Sequence, residues 1–183
     1  MKIWQKAGVA FVVAIALDSI TKVWAEQSLA PHHPVPVLGD YFQFTLGYNT
    51  GVAFGMFANG GNGPLLVTGV VILAIIAWLG NALRTGELTP AAAWPVGLLL
   101  GGAIANFVDR LPDGRVTDFL DAGLGAARWP TFNVADSFIV IALATLMLIS
   151  LIPTSERPEN SPARSEPLPD HHSPASPEYP PNL

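Results

Sequence analysis

The sequence predicts an all-α membrane protein: four transmembrane helices, a small extracytoplasmic β-like platform and a disordered C-terminal tail. Three observations carry this. Half of the 183 residues are hydrophobic and only 13% are charged, with a mean hydropathy of +0.41, whereas soluble domains are about a quarter charged. The apolar residues gather in four runs long enough to cross a bilayer, whose hydrocarbon core of about 30 Å needs roughly twenty residues of helix. The aspartates and arginines cluster beside those runs, above all between Gly101 and Ser137. Ionisable groups next to a membrane span are costly unless paired or used, so that stretch is the candidate functional site.

The first run, 4–26, has features of a secretory signal: Lys2 and Lys6, an apolar stretch from Ala7 to Leu17, and the small residues of Ser28-Leu29-Ala30. Pro31 follows at once and hinders cleavage, and Asp18 and Lys22 interrupt the apolar pattern. The reading is a retained first span. Asp18 and Lys22 are four residues apart, so they share a helix face and can form a buried ion pair near its end.

Residues 31–63 form the platform rather than a span. His32, His33, Pro34 and Pro36 open a turn, and VPVLGDYFQFTLGYN then partly alternates apolar and polar residues. That pattern, with Tyr41, Phe42, Phe44 and Tyr48, predicts one or two short strands at the membrane–water boundary. The adjacent histidines lack a ligand partner at usual spacing, so no metal is expected. Residues 64–83 are an uncharged second span. A short turn from Arg84 to Pro90 leads to the third span, 91–110. There Gly101, Gly102, Ala103 and Ala105 offer a small-residue face for close helix packing, and Pro95 is expected to kink the helix. Asn106, Asp109 and Arg110 share one face at its exit.

Residues 111–132 read as a polar, glycine-containing loop. The fourth span, 134–152, opens with Asn133 as N-cap and Asp136 three residues on, the spacing of a reciprocal cap. Residues 1–152 thus form one transmembrane unit. From 153 to 183 nine prolines and many charges, with almost no large apolar residues, predict a disordered tail that includes His171 and His172.

Net charge is −5, of which the tail carries −3, leaving seven basic and nine acidic residues in the body. No basic patch exists, so nucleic acid is not an expected partner. The absence of cysteine removes disulfides, thiolate nucleophiles and Cys-based zinc sites. Four spans put both termini on one side. Lys2, Lys6, Arg84 and Arg157 would lie on that side and Lys22, Arg110, Arg115 and Arg128 on the other, a tie in the positive-inside count. If the second set is committed to the carboxylate cluster, the first decides, and the termini are cytoplasmic with the cluster facing outward.

Two buried carboxylates close together cannot both ionise cheaply, so they share a proton near neutral pH and supply a base and an acid in one site. Asp118 and Asp136 are candidates for such a pair. Spacing alone leaves Asp109, Asp113 and Asp121 open as well, with salt bridges from Asp109 to Arg110 and from Asp113 to Arg115 as the structural alternatives, and leaves Asp136 evenly between capping and chemistry.

Five motifs bear on that choice: Asp18-Ser-Ile-Thr-Lys22, Asn49-Thr-Gly-Val-Ala-Phe-Gly55, Gly101-Gly-Ala-Ile-Ala-Asn106-Phe-Val-Asp109-Arg110, Gly114-Arg-Val-Thr-Asp118-Phe and Phe132-Asn133-Val-Ala-Asp136-Ser137. In this order, on four predicted spans, the chain resembles the lipoprotein signal peptidases, or signal peptidase II, four-helix aspartyl endopeptidases of the bacterial inner membrane. The resemblance implies that Asp118 and Asp136 are the catalytic dyad, and that Asn49, Gly51, Asn106, Asp109, Arg110 and Asn133 shape the site and hold substrate, supported by Asp18 and Lys22. It implies no cofactor. Its implied substrates are diacylglyceryl-modified prolipoproteins, cut before the lipidated cysteine beside membrane lipid, by a monomer that holds a complete site. Ala105 and Val52 depart from the family's usual Gly and small residue. The Gly-rich segment 58–63, with Gly60, Gly61 and Gly63, fits a flexible flap. Two rival classes are a non-enzymatic transporter subunit, whose charges would line a path through the spans, and an adaptor acting through the tail. The near absence of charge in the second and fourth spans beyond Asp136 speaks against the first.

Overall fold

The computed structural model describes residues 1–51 and 63–151. The departure at Val52, most of the 58–63 flap and the 153–183 tail lie outside the described residues. The elements run α1 (Ile3–Ser28), β1 (Val35–Leu38), β2 (Phe42–Asn49), α2 (Gly63–Thr85), α3 (Ala93–Arg110), β3 (Val116–Leu124), β4 (Ala127–Arg128) and α4 (Val134–Leu151).

Four helices stand where four spans were expected, but among the described residues only α1, α2 and α4 are long and apolar enough to cross a membrane. The difference lies in α3, whose last turn carries Asn106, Asp109 and Arg110. This helix is the packed centre of the bundle: eleven of its eighteen residues are buried. The outer helices show their large apolar side chains instead, with Val12, Leu66, Leu73, Val140 and Leu148 all more than 60% exposed. Such surfaces suit a hydrocarbon solvent.

Small residues set the packing. α1 buries Ala10, Ala14, Asp18, Lys22 and Ala25, a stripe at helical spacing. Across from it, a Cβ on Gly97 would strike the Ala7 carbonyl, and one on Gly101 would come within 2.7 Å of Ala14 Cβ and of the Phe11 carbonyl oxygen. Gly102 faces the other way, where a Cβ would sit 2.7 Å from the Ala135 carbonyl oxygen of α4. In lipid, where apolar burial alone does not drive helices together, this close approach supplies the packing attraction. Pro95, expected to kink α3, stands near its start. It is the third residue of the helix, in the first turn, where an N–H has no intrahelical acceptor to lose.

The expected loop at 111–132 is instead half of a sheet. β3 and β4 join β1 and β2 in a four-stranded antiparallel sheet of order β1-β2-β3-β4. β3 hides from a hydropathy pattern because Val116, Thr117, Asp118, Phe119 and Asp121 are all buried, so polar and apolar residues do not separate by face. Gly114, at φ +77°, makes the turn from α3 into β3. A register shift between Phe44 and Gly47 sets Gly47 opposite Asp118. The sheet is fastened to the end of α1 by Trp24, whose ring meets Phe44 and Phe119 edge-on at 5.0 and 6.0 Å. Finally, Phe132 pairs with Leu120 beside β3, which carries Asn133 and the start of α4 up against Asp118.

Candidate active site

The site forms where α1, α3, β3 and α4 meet beneath the end of β2. Asn133 is fully buried and is its hub. Its Oδ1 accepts from the Asp136 backbone N–H at 2.9 Å, while Asp136 Oδ2 accepts from the Asn133 backbone N–H at 3.2 Å. This is the reciprocal cap expected at the start of α4. The Asn133 side-chain nitrogen donates to Asp118 Oδ1 at 2.7 Å and to Asn106 Oδ1 at 3.1 Å. Asn106 in turn donates from Nδ2 to Asp136 Oδ1 at 2.8 Å. Two side-chain amides, bonded to each other, therefore hold the two carboxylates. The cap at Asp136 therefore leaves its Oδ1 free to take the Asn106 contact.

The remaining predicted residues surround this pair. Lys22 Nζ lies 2.7 Å from Asp18 Oδ2, 3.0 Å from Asp109 Oδ2 and 2.9 Å from Asn106 Oδ1. Asp18 also accepts from the Ala135 backbone N–H of α4 at 2.8 Å. The expected Asp109–Arg110 bridge does not form: Asp109 pairs with Lys22 and accepts from the Thr117 backbone N–H. Arg110 donates to the backbone carbonyls of Asn106 and Gly51 and lies within Coulombic reach of Asp118, Asp136 and Asp109. Asn49 accepts from the Gly51 N–H and borders Asp118.

The other aspartates are occupied. Asp113 forms the expected exposed pair with Arg115 at 2.6 Å, and that partner's hydrogen bonds hold its carboxyl below the usual range. Asp121 accepts from Gln43, Thr45 and Arg128 at 2.6, 2.8 and 2.8 Å. Burial pushes its carboxyl up, yet those hydrogen bonds outweigh burial and hold it below the ordinary value. Asp118 goes the other way. Burial first, then the charge of Asp136, push its pKa up to about 7, against the opposing contacts of Asn49, Asn133 and Lys22.

Two clefts open on the pair. One, of about 270 Å³, is lined by Tyr48, Asn49, Asp118, Pro130 and Thr131. The other, of about 400 Å³, is mostly apolar and is lined by Asp136 with Ala122, Trp129, Phe132, Val140 and Ile141. Thr117, Thr131 and Glu26 were missed by the sequence reading. Thr117 links Asp109 to Glu26 through its N–H and hydroxyl, and no local pattern marks Glu26. Among the described residues no three histidines or carboxylates converge as a metal cage.

The chain matches the family model described as signal peptidase (SPase) II over residues 10–152. It is 35% identical over 152 residues to the lipoprotein signal peptidase of Xylella fastidiosa strain M12, covering 81% of this chain and 89% of that one. To the lipoprotein signal peptidase of Treponema denticola it is 39% identical over 135 residues, 70% of this chain and 78% of that one. A bacterial membrane enzyme solved by the in meso method at 1.9 Å shares the fold, with a TM-score of 0.68 at 24% identity over 81% of this chain and 94% of that one.

Proposed function

The chain belongs to the signal peptidase II family, and from that premise we propose that Asp118 and Asp136 are the carboxylates with which it works. It is a membrane aspartyl endopeptidase that removes signal peptides from prolipoproteins. The observation that carries the dyad is a contrast in pairing. Asp18, Asp109, Asp113 and Asp121 each have a cation at 2.6 to 3.0 Å, whereas among the described residues Asp118 and Asp136 stand in no ion pair and share the Asn106–Asn133 amide bridge. Carboxylates so held are placed to exchange protons rather than to balance a fixed charge.

The ionised member takes a proton from water as the oxygen attacks the scissile carbonyl. The protonated member gives its proton to the carbonyl oxygen, and the tetrahedral intermediate collapses as the amine leaves with a proton returned through the pair. Peptide and water become a carboxylic acid and an amine. The two protonation steps belong to the dyad as a unit. Asn49, Asn106, Arg110 and Asn133 position the carboxylates and the substrate backbone, and the apolar cleft beside Asp136 suits the lipid-modified end of the substrate, with cleavage before the diacylglyceryl cysteine. The four helices span the inner membrane with cytoplasmic termini, which sets the dyad at the outer hydrocarbon boundary, where a lipid anchor would hold the scissile bond. In this reading the working unit is a monomer, one bundle holding the whole set of proposed site residues.

The test is a cleavage assay in liposomes with a diacylglyceryl-modified prolipoprotein and its unlipidated form. Wild type is expected to release the signal peptide from the lipidated form only, and folded Asp118→Asn and Asp136→Asn to release none. Near-normal turnover by either variant would overturn the dyad.

A further inference from the structure

The hydrolytic cycle leaves one group of the site without a task. Lys22 contacts neither carboxylate of the pair by hydrogen bond, yet it is buried among them at 6% exposure. We propose that Lys22 is a positioning residue of the reaction: its ammonium locks the Asn106 side-chain amide so that the N–H edge, not the carbonyl edge, faces Asp136. This rests on the dyad reading above.

The two edges of an asparagine amide are nearly equal in shape and opposite in chemistry, so only the partners decide which way it points. A lysine ammonium has three donors and no acceptor. All three are used here, on Asp18 Oδ2, Asp109 Oδ2 and Asn106 Oδ1. Holding helices together would need only the first two. The third fixes the Asn106 carbonyl edge toward α1, and the opposite edge then has to present its N–H to Asp136 Oδ1. The same Asn106 oxygen accepts from Asn133 Nδ2, which also serves Asp118. Asn133 is itself held by its Oδ1 contact with the α4 backbone. If Asn106 flipped, three of its contacts would turn repulsive: an N–H₂ against the ammonium and against the Asn133 N–H₂, and an oxygen against the Asp136 carboxylate. With the amide locked, Asp136 receives donors on both oxygens, from Asn106 and from the Asn133 backbone. It also sits in the first turn of a helix, which favours an anion. That prepares Asp136 as the water-activating base and leaves Asp118 to carry the shared proton.

The test removes the lock with the buried Asp18 neutralised at the same time, so that the one carboxylate left without its cation is the partly exposed Asp109, which keeps the Thr117 N–H. In an Asp18→Asn background, Lys22→Met takes away the α1 donor toward Asn106 Oδ1 and leaves only that of Asn133, while Lys22→Gln keeps an uncharged N–H₂ donor there. Both are assayed on lipidated prolipoprotein beside wild type and Asp118→Asn. Lys22→Met is expected to lower kcat on the order of a hundredfold per folded enzyme, as small misplacements at a reacting centre do, with KM within about twofold. Lys22→Gln is expected to recover about tenfold of that loss. A purely structural role would change the yield of folded protein but not kcat alone, and would not distinguish Gln from Met. The proposal is overturned if folded Lys22→Met keeps kcat within about threefold of wild type, or if Gln does no better than Met. An active Asp118→Asn in the same assay would instead sink the dyad reading itself. Should Lys22→Met not fold, hydrogen exchange of the Asn106 side-chain amide in wild type decides: strong protection supports the lock, and exchange at the free-amide rate contradicts it.

Discussion

Asp118 and Asp121 lie three residues apart on β3, at 2% and 6% exposure, and the fold treats them in opposite ways. Asp121 is given a guanidinium, an amide and a hydroxyl, and stays ionised. Asp118 is given amide contacts and a second carboxylate nearby, and its pKa rises to about 7. Burial alone therefore does not make a catalytic acid. What distinguishes the two is compensation: a buried carboxylate with a fixed cation is a structural anion, and one left with neutral donors and a like charge is poised to hold and release a proton.

The sharpest way to break this comparison is turnover. Asp118→Asn and Asp136→Asn are expected to reduce cleavage by about three orders of magnitude or more, while Asp121→Asn retains kcat within a few-fold, as read by signal-peptide release per folded enzyme. The next largest effect is on folding. Arg128→Met leaves Asp121 buried and unpaired and is expected to lower Tm more than the double variant Arg128→Met/Asp121→Asn, since an uncompensated buried charge costs more than a lost pair. A similar loss is expected for Gly101→Val, whose side chain would be driven into the Phe11 carbonyl, costing about 1–3 kcal/mol or more by overpacking.

The pH dependence of stability then separates the two aspartates by sign. Asp118 titrates at about 7 in the folded chain against 3.8 for the free group. Its protonated form is favoured by folding, so its contribution is full below about 4 and is lost as pH climbs to about 7, on the order of a few kcal/mol. Asp118→Asn is accordingly expected to melt higher than wild type at pH 8, with the gap closing toward pH 4. Asp121, held below its ordinary value, contributes above that value and loses it as pH falls. Asp121→Asn is therefore expected to melt lower than wild type at neutral pH, with the deficit shrinking in acid. The smallest effect is at the exposed Asp113–Arg115 pair: Arg115→Gln is expected to leave the thermal melting curve nearly where it was, because solvent screens an exposed ion pair.

The helices were legible in the sequence because apolar runs and small-residue spacing report directly on burial. The Asp18–Lys22 pair, the Gly101–Gly102 face and the Asn133–Asp136 cap followed from spacing within one helix. What spacing did not show is anything made across elements. β3 reads as loop in the sequence because its buried positions include Thr117, Asp118 and Asp121, and the partners that offset those burials come from α3, β2, β4 and the Asn133 cap of α4. For the same reason spacing pairs Asp109 with its neighbour Arg110, whereas its cation is Lys22 on another helix. The Gln43–Thr45–Arg128 cage around Asp121 had no signature in the sequence at all, so the residues alone left Asp118 and Asp121 as equal candidates.

The measurement that bears most directly on the central claim is a side-by-side cleavage of diacylglyceryl-modified prolipoprotein by folded Asp118→Asn and Asp121→Asn enzymes in liposomes at neutral pH. The account predicts no signal-peptide release by the first and near-normal kcat by the second. A working Asp118→Asn, or a folded but inactive Asp121→Asn, would contradict it.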